Sequence, residues 1–149
     1  MSTVHLHLIL THVPVLGTVF AILLLAVGLL KRSDELKKTA FWMLALCAAV
    51  AVPVFLTGEP AEDAVERLPG VSKATIETHE NAAKIAFGVI VFLGVVALGG
   101  LAYLRKRLVP QWLAVSILTL AIIAGGLLAW TANLGGEVRH TEIVATKSS

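Results

Sequence analysis

Four long apolar runs constrain this chain more than any other feature. They fall at about residues 8–30, 39–57, 82–104 and 112–134. A helix needs about 20 mostly apolar residues to cross ~30 Å of hydrocarbon, and each run meets or nearly meets that length. Hydrocarbon holds no water to satisfy backbone N–H and C=O groups, so such runs cross as helices. The sequence therefore predicts an all-α fold: one integral-membrane four-helix domain over residues 1–149. An even number of spans puts both termini on the same side.

Charge supports this reading and sets the expected orientation. Only 15% of residues are charged and 57% are hydrophobic, whereas roughly a quarter are charged in an ordinary soluble protein. That balance excludes a disordered tail, a nucleic-acid binder and most water-soluble enzymes. The first run has no basic stretch before it, and Lys31-Arg32 follows as a stop-transfer flank, so it reads as a span rather than a signal peptide. Lys31, Arg32, Lys37 and Lys38 fill the first connection, and Arg105, Lys106 and Arg107 the third. Short basic loops face the cytoplasm. The termini and the long second connection are then expected outside, in the periplasm of a bacterial inner membrane. Eight of the ten acidic residues fall on that outer side, among them Glu59, Glu62, Glu80 and Glu137. The single cysteine, Cys47, forms no internal disulfide, sits in mid-span, and reads as a small hydrophobe.

The outer connection carries a pattern of its own. Pro60 suits the first turn of a helix, and Ala61, Val65 and Leu68 recur at helical spacing before Pro69-Gly70 stops the run. These predict a short amphipathic helix on the outer surface between the second and third spans. Ser72 is a candidate N-cap for a third helix that starts above the membrane.

All five histidines, His5, His7, His12, His79 and His140, lie on the outer side. Counted up from the basic loops by helical rise, His12 stands at about 28 Å, His7 at about 36 Å and His79 at about 39 Å. The rings thus gather near the outer membrane boundary. Imidazole is a common ligand of haem iron, zinc, copper and non-haem iron, and bundles hold cofactors with side chains that project inward from facing helices. His12 and His79 are the first candidates, with His7 and His140 as a second pair or as supporting groups; His5 reads as solvated. Pro14 is expected to kink the first helix near Leu10, either aiming His12 inward or merely bending the helix. Lys84 is expected to snorkel outward or to pair with Glu80. Glycines 88, 94, 99, 100, 125 and 126 allow close helix approach or leave room for a flat group.

The stretch His7-Leu8-Ile9-Leu10-Thr11-His12-Val13-Pro14 resembles the opening of domain-of-unknown-function family 2231, small bacterial four-helix membrane proteins. Thr57-Gly58 at the end of the second span, His79 before the third, and Leu134-Gly135-Gly136-Glu137 with His140 after the fourth are similar to further family features. The likeness covers nearly the whole chain. Only two residues separate Glu137 from His140 here, where the family commonly has about three. Members are often joined to, or encoded near, Rieske iron–sulfur or cytochrome c domains, so the resemblance implies respiratory electron transfer, with quinol and such redox domains as partners.

Histidine layer and resemblance together lead to the expectation of a b-type cytochrome module, with haem b held by imidazoles at the outer end of the bundle. Glu59, Glu80 and Glu137 would orient imidazole N–H groups or carry protons from a quinol. A second reading is a non-haem zinc, copper or iron site built from His7, His12, His79 and His140 with Glu59 or Glu137, in a membrane enzyme or metal-handling protein. A third is an accessory subunit of a larger membrane complex. No nucleophile elbow, phosphate-binding loop or His-Glu-x-x-His motif occurs.

Overall fold

The computed structural model describes residues 3–66 and 71–139. Four helices account for nearly all of them: α1 (Thr3–Leu30), α2 (Asp34–Glu66), α3 (Lys73–Tyr103) and α4 (Gln111–Arg139). Each is long and apolar enough to cross a membrane. The shortest, α1 with 28 residues, is about 42 Å long at the helical rise, so its ends clear the hydrocarbon.

The helices form an up-and-down ring. Each packs on its neighbours in the chain, and α4 closes the ring against α1. Among the described residues α1 and α3 stand diagonally, with no Cα–Cα approach within 8 Å. The inward stripes carry small, branched and aromatic side chains: Ala21 and Leu25 of α1, Phe41 and Leu44 of α2, Ile90 and Leu93 of α3, Ile117 and Ala121 of α4, all fully or almost fully buried. Gly94 packs directly on the Ala48 methyl, which leaves no space for a Cβ and brings α2 and α3 into close contact.

The outward faces carry large apolar side chains such as Leu16, Phe20, Leu46, Phe92 and Val95, all well exposed. A water-soluble domain rarely shows so continuous an apolar surface; a lipid-facing bundle requires one. Exposed Tyr103 and Trp112 stand at the ends nearest the basic loops and Trp130 toward the other end, as interfacial aromatics do. The protein is a multi-pass membrane bundle.

Two devices organise the end that carries the basic loops. α1 stops in a Schellman turn: Ser33 N–H donates to Gly28 C=O at 2.9 Å and Arg32 N–H to Leu29 C=O at 3.3 Å. Arg32 sits in the left-handed region, φ 53°, where glycine is the usual occupant. The start of α2 then clasps the far loop. The Asp34 carboxylate accepts from Val109 N–H, the buried Lys37 ammonium donates to Val109 C=O, and Lys38 donates to Arg107 C=O, at 2.6, 3.2 and 2.9 Å. Both short connections are thereby fixed side by side.

At the other end the amphipathic segment is helical, as its pattern predicts, but it is not a separate helix. It is the continuation of α2, which runs through Pro53 and Pro60 to Glu66. Pro60 removes only the bond to the Leu56 carbonyl, and burial of Ala61 and Val65 against the bundle holds the last turns in line. Leu68, Pro69 and Gly70 of the predicted segment lie outside the described residues. Lys73 pairs with Glu66 at 2.6 Å, tying the start of α3 to the end of α2. Ser72 occupies the N-cap position of α3 with extended backbone, although its side chain makes no capping bond.

Candidate functional site

Two histidines turn inward at the end remote from the basic loops. His7 belongs to the inward stripe of α1 that continues through Pro14 and Thr18, and its ring is half-buried. Its Nδ1 lies 3.1 Å from the Val54 carbonyl and 3.2 Å from the Thr57 hydroxyl, both on α2. A carbonyl oxygen only accepts, so Nδ1 carries the proton. The Thr57 hydroxyl proton is directed to the Pro53 carbonyl at 2.8 Å, which leaves its lone pairs to share the proton of His7. His79 repeats the arrangement from α3. Its half-buried ring donates from Nδ1 to the Thr131 carbonyl of α4 at 3.1 Å.

Fixing the proton on Nδ1 gives both rings the same tautomer, with a free lone pair on Nε2. The two imidazoles come from diagonal helices and lie at the same end of the bundle. Each therefore has one nitrogen engaged by a neighbouring helix and the other available to a ligand. Glycines flank both rings. A Cβ on Gly135 would lie 3.1 Å from His79 Cε1, whereas one on Gly58 would lie 3.7 Å from His7 Cε1.

The remaining candidates are placed differently. His12 does not join the pair: it is exposed, and its Nδ1 lies 2.7 Å from the Leu8 carbonyl of its own helix. Pro14 is buried while His12 lies on the opposite side of α1. The two are about 200° apart by helical periodicity, so a proline that faces the core does not turn His12 toward it. His5 is exposed. His140 falls outside the described residues. Glu59 is exposed, and Glu137 accepts from the Asn133 amide at 3.0 Å on its own helix. Lys84 pairs with Glu80 at 2.7 Å. Half-buried Glu62 interacts with Glu80, Asp63 and Glu59 and with Lys84, so the carboxylates of α2 and α3 form a cluster at this end.

Among the described residues no three His, Cys, Asp or Glu side chains come together in a group suited to a metal ion. The six-residue set of the non-haem reading is thus not assembled among them. Sequence reasoning missed the acceptors that hold the rings. Val54 and Thr131 act through their carbonyls, which leave no trace in side-chain chemistry; the one available signal is a glycine four residues after each. It also missed the stacked pair Phe55 and Phe87, with centroids 4.4 Å apart, on the seam of α2 and α3.

Comparison of the chain with protein-family models, with curated proteins and with solved structures finds no match.

Proposed function

We propose that this bundle is a membrane b-type haem protein of respiratory electron transfer, in which His7 and His79 would hold the haem. The observation that carries the reading is the inward pair from diagonal helices, each with Nδ1–H engaged by a backbone carbonyl and Nε2 left free. Haem-ligating and metal-ligating histidines are characteristically oriented in this way. Two imidazoles would suffice to hold haem iron, whereas a structural zinc site needs four ligands, so the described residues favour haem over a bare ion.

Haem bound there would supply a one-electron iron couple. The chain's own groups then do the rest. Val54 C=O, the Thr57 hydroxyl and Thr131 C=O fix the ring planes and add basicity to the imidazoles. Glu62 and Glu80 lie at the same end and accept protons if a quinol is oxidised there. In this reading the site faces the periplasm of a bacterial inner membrane, and a Rieske or cytochrome c domain is the expected redox partner, as the family resemblance implies.

Spectroscopy tests the assignment. Protein purified in detergent after expression with haem supply should show a Soret band and a pyridine haemochrome of b type. His7→Ala and His79→Ala should each lose most of the haem, and His12→Ala should keep it. Haem-free protein, or haem lost from the His12 variant and retained in the other two, overturns the proposal.

A further inference from the structure

The two imidazoles are held by one device used twice. In α1 and α2, His7 donates to the carbonyl of Val54, and Gly58 lies one helical turn beyond that acceptor. In α3 and α4, His79 donates to the carbonyl of Thr131, and Gly135 lies one turn beyond. The sequence separation between the two histidines also takes buried Pro14 to buried Ala86, Ala21 to Leu93 and Leu25 to Ala97. The separation between the two glycines takes Val54 to Thr131, Leu44 to Ala121 and Cys47 to Ala124. In a ring whose chain neighbours are also spatial neighbours, these matches relate the two hairpins by a half-turn about an axis along the bundle. Parallel repeats in membrane proteins are related in this manner, and their sites lie at the repeat interface.

The halves differ in how firmly each ring is held. His7 has a second acceptor, the Thr57 hydroxyl, and a loose neighbour in Gly58. At the matching position of α4 stands Leu134, which is buried and offers no hydroxyl. His79 therefore depends on its single carbonyl and on the space at Gly135, where a Cβ would come within 3.1 Å of its Cε1. A helical carbonyl already accepts from the N–H four residues on. A side chain on that fourth residue stands beside the approach of any further donor, and glycine removes it.

We infer that Gly135 is a positioning residue, the gap that lets the His79 ring reach the Thr131 carbonyl and so present Nε2 to the ligand, in one half of a two-fold repeated imidazole cradle whose other half is His7, Val54 and Gly58. The inference rests on the imidazole pair as the binding site but not on the identity of the bound group.

Gly135→Ala and Gly135→Val are compared with Gly58→Ala and with Gly136→Ala, a position where a Cβ meets nothing within 4 Å. Histidine-nitrogen NMR of isotope-labelled protein without haem reads the tautomer, and haem titration reads retention. Both Gly135 variants should shift the His79 signal away from the Nδ1–H tautomer, valine more than alanine, and leave His7 unchanged. Haem retention should weaken about tenfold or more, the range for loss of a ligand-orienting contact. Gly136→Ala should behave as the parent, and Gly58→Ala should leave the His79 signal unmoved. An unmoved His79 tautomer in both Gly135 variants, or an equal effect from Gly136→Ala, overturns the inference. If the parent takes up no haem but Gly135→Val still displaces the tautomer, the positioning role stands and the haem assignment falls; haem uptake with an unmoved tautomer gives the reverse.

Discussion

An imidazole becomes a ligand when one nitrogen is engaged and the other is offered, and at this site the engagement falls to neighbouring helices rather than to carboxylates. His7 shares its Nδ1 proton between Val54 C=O and the Thr57 hydroxyl at 3.1 and 3.2 Å. Thr57→Val keeps the shape and removes the hydroxyl. One shared hydrogen bond is worth about 0.5–1.5 kcal/mol, and the Val54 carbonyl remains. The variant should therefore retain haem and the Nδ1–H tautomer of His7 while its thermal midpoint in detergent falls by a few degrees; loss of haem would show that the hydroxyl, not the carbonyl, governs the ring. The histidine layer was legible in the sequence because polar rings at the edge of apolar runs stand out. Which rings turn inward was not. His7 and His12 both lie near the same end of α1, and only the stripe His7–Pro14–Thr18, defined by packing on α2 and α4, separates the inward face from the outward one.

Helices of this length are limited by their ends, since their interiors are uniformly apolar. Span positions were legible because hydropathy needs no partner to be read. The fate of the segment after Thr57 was not, because a proline signals both a helix start and a tolerated interruption. Burial of Ala61 and Val65 decides for continuation, and burial is a property of the assembled bundle. The C-terminal end of α1 offers a direct test of end energetics. Arg32 holds φ 53°, a conformation that costs an L-residue with a Cβ about 1–2 kcal/mol. Arg32→Gly should keep the Ser33-to-Gly28 bond and raise stability by about 1 kcal/mol, read as a higher midpoint in thermal or denaturant unfolding. A lower midpoint would mean that the guanidinium does more for the turn than the backbone strain takes away.

At the scale of the molecule, charge and packing favour one arrangement. The clasp of Asp34, Lys37 and Lys38 on the 104–110 loop uses a carboxylate and two ammonium groups internally. The exposed Lys31, Arg32, Arg105, Lys106 and Arg107 remain at the same end. The opposite end carries the paired imidazoles and the Glu62 cluster. Moving the basic end across the membrane would place five cations against the outward-positive side of a respiring membrane, at about 2.3 kcal/mol per charge per 100 mV. The orientation with the basic loops inside is therefore the one expected, and under the proposed function it would put the imidazole pair within reach of a periplasmic redox domain. Because Cys47 is the only cysteine, a Cys47→Ala background reports single introduced thiols cleanly. Ser72→Cys should react with a membrane-impermeant maleimide on intact spheroplasts, and Lys106→Cys only after permeabilisation. The reverse pattern would turn the site toward the cytoplasm and remove the periplasmic partner from the reading, while the helical ring and its histidine pair would stand unchanged.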